Sequence, residues 1–288
     1  MATDTVVPTG TTRGAPRWLR NTGWYALLTG LSLMVLFPIW MLIVRALSNP
    51  TTYVFDRGQP PYPVDIEWDV FARAFDEADF GRQLAISVAA TLVIVGGQLI
   101  TSLLAAYAFA FLRFPFKRTL FAVCMATLML PIEVTLVANS RTIRELEWLN
   151  SIQGLTVPFL ATALGIFLIR QGFLGVPRDL RDAAALDGFG HLQFLWRVAI
   201  PLTRPVIAAF TVLSFLSAWN SYLWPRAVTD TSEWFTVQIG LRAVSNSTAD
   251  ELNVGAAAAL LAALPVLIIL ILFQRHIVRG LTAGAVKG

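Results

Sequence analysis

The chain alternates long apolar runs with short polar ones. A helix needs about 20 predominantly apolar residues to cross the hydrocarbon core of a bilayer. Six runs meet that requirement: about 23–45, 84–111, 119–138, 151–170, 206–225 and 253–274. The pattern predicts an all-α integral membrane protein with six transmembrane helices. Pro131, Pro158 and Pro265 fall within or near the ends of these runs. A membrane helix tolerates proline where neighbours satisfy the freed carbonyls, so these prolines read either as bends in a bundle that opens and closes or as the ordinary proline content of membrane helices. The polar stretches 47–82 and 226–252 are the longest on one side. On the other side the longest is 176–205.

Composition agrees: of 288 residues, 56% are hydrophobic and 14% charged, where a soluble domain is about a quarter charged. Residues 21–44 form an uncharged run too long for a signal-peptide core, so a retained first span is expected. Residues 1–16 are polar, and disorder is expected there. Charge orients the whole. Segments 1–20, 113–118, 170–205 and 275–288 hold 14 of the 22 Lys/Arg and only 4 of the 18 acids. Excess Lys/Arg marks the cytoplasmic side. Both termini are therefore expected inside, with 1–22 and 275–288 as cytoplasmic tails around a 23–274 membrane domain.

Several chemistries find no support. No Gly-Lys pair occurs, so there is no Walker A loop for ATP. Two isolated histidines and the lone Cys124 make a metal site or cofactor unexpected. No Gly-x-Ser-x-Gly elbow is present, and the spread of basic residues matches orientation rather than nucleic-acid binding. An enzyme is not expected. Glu133 lies inside an apolar run, where an ionised group costs roughly 3 kcal/mol. It reads either as a path or gate residue paired with Arg45, Arg141 or Arg144, or as the early end of its span. Asn220 and Tyr222, in Trp219-Asn220-Ser221-Tyr222, read either as contacts to a polar solute or as part of an aromatic belt. Trp224 is assigned to the belt, at headgroup level. Arg226 follows, placed to meet an anion or simply water. The basic tail 275–279 would meet lipid headgroups or a partner.

The stretch 176–205 reads as two short helices around a glycine joint. Pro177 suits a first turn. Asp179 and Asp182 favour the positive helix end. Ala183, Ala184 and Ala185 let something approach closely. Gly188 ends the first helix in a left-handed conformation. The second helix, about 191–200, stops at Pro201. Asp182-Ala183-Ala184, Asp187-Gly188, Phe194 and Pro201 together resemble the EAA loop of ABC-importer permeases. Asp182 replaces the usual Glu, and Phe189 replaces a small residue. From about residue 23 onward the chain resembles the permease subunits of carbohydrate-uptake ABC importers, the group that includes the maltose system. The strings Arg113-Phe114-Pro115, 127–134, 219–225, Gln274-Arg275 and 278–281 are most similar to the second permease of glycerol-3-phosphate and glycerophosphodiester importers.

The resemblance implies a type I importer permease in a bacterial inner membrane. Its partners would be a homologous second permease, two ATP-binding subunits docked through Asp182, Ala183, Ala184, Asp187, Gly188, Phe194 and Pro201, and an extracytoplasmic substrate-binding protein reaching 47–82 and 226–252. Glu133, Asn220, Tyr222, Arg141 and Arg226 are the candidate solute-path residues. A neutral oligosaccharide permease is the alternative within the family. A stand-alone secondary transporter and a structural scaffold are the readings outside it.

Overall fold

The computed structural model describes residues 17–76, 79–245 and 251–283. The expected disorder of residues 1–16 lies outside them, as do residues 284–288 of the basic tail. In chain order the α-helices are α1 (Arg17–Leu47), α2 (Val70–Asp76), α3 (Phe80–Phe111), α4 (Lys117–Ala126), α5 (Ile132–Glu145), α6 (Ile152–Thr156), α7 (Ala163–Leu174), α8 (Arg178–Leu186), α9 (His191–Phe194), α10 (Ile200–Leu202), α11 (Arg204–Trp219), α12 (Leu223–Val228), α13 (Val237–Ser245) and α14 (Leu252–Ala283). The protein is an all-α membrane protein.

Among the described residues three helices are long and apolar enough to cross a membrane unbroken: Thr22–Leu47, Phe80–Phe111 and Leu252–Arg275. The count reaches six only if each of three bent helix pairs is one span. The runs expected as spans over 119–138 and 151–170 are such bent pairs, with the bends near Pro131 and Pro158, where those prolines suggested them. The first becomes Lys117–Met129 and Glu133–Glu145, bent by 99°, and the second Ile152–Phe159 and Ala163–Leu174, bent by 46°. The fifth run also differs. Helix α11 stops at Trp219 and the chain restarts at Leu223.

Each break has a local cause, and the second also has a distant remedy. Pro131 sits in extended backbone just before α5, and its missing donor coincides with the corner. At the second break, beyond Pro158, the carbonyls of Phe159 and Leu160 lack helical partners. Gln98 Nε2 donates to the first at 2.9 Å and Thr101 Oγ1 to the second at 2.8 Å, both from α3. Gly97 permits this approach, because a Cβ there would press on Leu160. Gln98 is itself fixed by Ser214 Oγ at 2.7 Å. In α14 the helix runs through Pro265. The indole of Trp219 donates to Ala262 O at 3.2 Å, in the turn that proline disturbs.

The packing centre is where α3, α7 and α11 meet. Gly165 of α7 lies there, and a Cβ on it would collide with Ser102 Oγ and the Phe210 ring. Helix α14 packs on α11 and α1 around Phe215, Trp219 and the small residues Ala256, Ala257 and Ala258. Most of α1 beyond these contacts is exposed, from Trp24 to Trp40. An uncovered apolar helix of this kind suits lipid or another membrane subunit.

Candidate functional site: a two-helix loop and a polar cavity at the opposite end

The loop after α7 forms as its sequence demands. Pro177 caps α8 in extended geometry, and Asp179 occupies the first turn. The helix closes with a pair of bonds, from Gly188 N to Ala185 O at 3.1 Å and from Phe189 N to Ala184 O at 2.9 Å. Gly188 has φ +79°. These are the two hydrogen bonds of a Schellman cap, which requires a left-handed residue at the glycine. Phe189 is the apolar residue such a cap places against the helix. This accounts for a bulky side chain where a small one was expected.

The next helix corrects the expectation that it ends at Pro201. A π turn, Leu195–Ala199, lets the helix run from His191 through Pro201 to Leu202. The Ile200 amide reaches back five residues to Leu195 O, so the proline enters without breaking the helix. The corner falls at Thr203, where the chain turns by 84° into α11. Thr203 Oγ1 donates to Ala199 O at 2.7 Å there.

This loop rests on an aromatic seat. Phe194 stands edge-on to Phe111 at 5.4 Å, and Phe111 lies 5.7 Å from Phe173 and 5.1 Å from Tyr107. Tyr107 Oη is 3.1 Å from His191 Nδ1. Ala184 is buried, 7% exposed, in the same cluster. Of the three alanines expected to admit a neighbour, only Ala183 and Ala185 face outward; Ala184 fits this chain's own core. Asp182, Asp187 and Gly188 are exposed. So are apolar groups that a free surface would not favour, among them Leu186 at 91% and Trp196 at 62%. Burying two such side chains is worth about 3–6 kcal/mol.

At the opposite end of α11 the solute-path candidates separate. Glu133 is exposed in the first turn of α5. Two of the partners proposed for it are taken: Arg141 pairs with Glu145 at 3.0 Å and Arg144 with Asp230 at 4.0 Å; the third, Arg45, forms no ion pair with it. Arg226 is exposed and lies 5.9 Å from the Phe235 ring. Asn220 and Tyr222 do come together. They line a cavity of about 500 Å³ with Arg45, Gln238 and Arg242. Trp224 is not in an aromatic belt. It is buried, stands edge-on to Phe159 at 5.3 Å, and donates its indole N–H to Gly154 O at 3.1 Å.

Residues 97–283 match the family described as "Binding-protein-dependent transport system inner membrane component". The chain belongs to that family. It is 34% identical over 257 residues to the sn-glycerol-3-phosphate transport system permease protein UgpE of Yersinia enterocolitica, covering 86% of this chain and 91% of the relative. The Brucella abortus protein of the same description is 32% identical over 262 residues, with the same shares covered. Among solved structures, a chain of a bacterial ABC transporter involved in import of the acidic polysaccharide alginate superposes with TM-score 0.78. It is 26% identical, covering 92% of this chain and 99% of that one. A second alginate-transporter chain, at TM-score 0.63 and 14% identity over 90% and 96%, shares the fold. This is therefore a permease component of an ABC-type importer.

For such a permease component, sequence reasoning missed two features. The aromatic seat left one trace, the i, i+4 pair Tyr107 and Phe111 at the end of an apolar run. Arg242 and Gln238 left none, because nothing local distinguishes them from other polar residues of 226–252.

Proposed function

We propose that this chain forms half of the solute path of an ATP-driven importer in a bacterial inner membrane, carrying sn-glycerol-3-phosphate or glycerophosphodiesters inward. Both termini and the 176–205 loop face the cytosol. A homologous permease completes the path, two ATP-binding subunits sit below, and an extracytoplasmic binding protein delivers solute. ATP is hydrolysed on the partners. The observation that carries the reading is the two-helix loop itself: hinged at Gly188, seated through Ala184 and Phe194, and exposing Ala183, Leu186 and Trp196 to a partner.

On this reading the ATP-binding subunit covers the apolar face of α8 and the helix after it. Asp182 and Asp187 set charge at the hinge, and Pro201 lies in the segment that passes motion to α11. When the nucleotide-binding subunits close, the seated loop moves as one body with α7 and α11. The permease pair then exposes its other side, as alternating access requires. Asn220 and Tyr222 line the path. Glu133, Arg141 and Arg226 lie along it, Glu133 at the corner between α4 and α5. The resemblance to the glycerol-3-phosphate permeases supports the substrate class, and the likeness to an importer of an acidic polysaccharide favours an anion over a neutral sugar.

The test is reconstitution of the complete importer in vesicles with labelled glycerol-3-phosphate, glycerophosphodiester and a neutral oligosaccharide. ATP-dependent uptake of the phosphorylated compounds is expected. Uptake of the neutral sugar alone would refute the substrate, and uptake without any ATPase subunit would refute the mechanism.

A further inference from the structure

The ion pairs at the end of the molecule away from the loop leave Arg45, Arg57, Arg226 and Arg242 without a carboxylate among the described residues. Arg73 is held by Glu67 and by Asp69, the latter at 3.0 Å. Arg82 faces Glu233 at 3.7 Å, and Arg141 and Arg144 have the partners described above. Arg45 and Arg242 meet no carboxylate among the described residues. They come from helices far apart in sequence, α1 and α13, yet both line the same 500 Å³ cavity. Its lining also holds two carboxamides, Asn220 and Gln238, and the phenol of Tyr222, and it contains no acid.

We propose that this cavity is the station at which the permease holds the anionic group of its solute. Arg45 and Arg242 supply the counter-charge for a phosphate or carboxylate, and Asn220, Gln238 and Tyr222 bond the hydroxyls of the attached polyol or sugar. The inference rests on the proposed import function and deepens it. The volume lies within the range of sites for small organic ligands, about 300–1,000 Å³. The guanidinium of Arg242 lies over the Tyr222 ring at 4.3 Å. That stacking fixes its plane and leaves its N–H edges free for an oxyanion. Asn220 spends its Nδ2 on Leu216 O at 2.9 Å, so its carbonyl oxygen remains to accept from a hydroxyl.

The rim is built to hold this shape. Fully buried Asn253, beside lining residues Leu252 and Gly255, donates to Glu67 at 3.0 Å, and Asn49 donates to the same carboxylate at 2.7 Å. Three segments, the end of α1, α2 and the start of α14, are thereby tied to one acid. Glu67 is spent in that tie, and no acid stands among the cavity's lining residues. Two free guanidinium groups would otherwise repel each other across a shared space.

The experiment compares Arg45→Gln and Arg242→Gln with wild type in the complete importer in vesicles. Two quantities are read: initial uptake of glycerol-3-phosphate, a glycerophosphodiester, a uronate oligosaccharide and a neutral oligosaccharide, and ATPase activity stimulated by the loaded binding protein. Each substitution should lower anion uptake by about 10- to 100-fold, the value of one charged hydrogen-bonding group. Stimulated ATPase should stay within about twofold, and Arg242→Lys should recover part of the uptake. Unchanged anion uptake in both variants overturns the site while leaving the import function standing. Loss of uptake and ATPase together overturns it too, since the arginines would then be structural partners of another subunit. If wild type carries uronate but not glycerol phosphates, and the variants lose it, the site stands and the proposed substrate falls. If wild type carries only the neutral sugar, both fall.

Discussion

Replacing Gly188 tests the loop hinge, and the structure sets the order of severity. Gly188 has φ +79° and nothing within 4 Å of a built Cβ, so any penalty is conformational rather than steric. A left-handed L-residue costs roughly 1–2 kcal/mol, less for Asn, whose side chain tolerates that region. Gly188→Asn should therefore be nearly silent and Gly188→Ala mild, at about 1 kcal/mol. Gly188→Pro cannot reach positive φ at all. It also deletes the N–H that donates to Ala185 O, worth about 1 kcal/mol, and displaces the Phe189 amide from Ala184 O. The penalty then exceeds about 3 kcal/mol, enough to unmake the cap rather than strain it. The assay is the ratio of solute imported to ATP hydrolysed in reconstituted vesicles. That ratio should fall in the order Gly, Asn, Ala, Pro, with Pro near zero and the chain still inserted. A proline variant importing within about twofold of wild type would refute the hinge. So would an alanine variant as damaged as the proline one.

Four further outcomes follow from other contacts. Ala184→Trp overfills the aromatic seat and should uncouple hydrolysis from uptake while the chain stays in the membrane, as overpacking costs about 1–3 kcal/mol; normal uptake would count against the seat. Trp224→Phe removes the bond to Gly154 O and should lower thermal stability in detergent by about 1 kcal/mol, whereas a headgroup tryptophan would tolerate the change. Gly165→Leu drives a side chain into Ser102 and Phe210, and should abolish recovery of folded protein by size-exclusion chromatography. Glu67→Gln weakens the tie among Asn49, Arg73 and Asn253, and thermal unfolding should report a loss of about 1–2 kcal/mol, reduced by partial exposure of the pair.

What the sequence disclosed divides along physical lines. The unbroken spans were legible because hydropathy over 20 residues is a local sum, and helices α1, α3 and α14 satisfy their own hydrogen bonds. The two bent spans were legible as apolar, and Pro131 and Pro158 suggested bends without settling them. Whether Pro158 bends its helix depends on Gln98 and Thr101, about 60 residues away, donating to the freed carbonyls. The hinge was legible because Asp187-Gly188 carries its own backbone preference. The path past Pro201 was not, since a π turn absorbed the proline. Trp224 shows the same limit: an aromatic near a span end suits the headgroups until a carbonyl from α6 claims its indole. The cavity was hidden for a different reason. Its polar lining is drawn from three separate elements, and only the absence of acids around Arg45 and Arg242 distinguishes those arginines from their paired neighbours.

Helix α11 is where loop and cavity meet in one element. Its first residue follows the corner at Thr203, and its last turn ends at Asn220, which lines the cavity. The corner is closed internally, because both the amide and the hydroxyl of Thr203 bond Ala199 O. A corner with its bonds made resists bending, so displacement of the seated loop passes into α11 instead of dissipating there. The far end is the opposite case. Between Trp219 and Leu223 the helix is interrupted: Tyr222 begins the next helix, its carbonyl accepting from the Arg226 amide at 3.0 Å, and its ring lies under the Arg242 guanidinium. A bonded corner at one end and an interruption at the other would let a push on the rod alter side-chain spacing at its far end. On the proposed function this places the end of α11 at the anion itself, so that a shift of the rod changes how Tyr222 and Asn220 stand relative to Arg242.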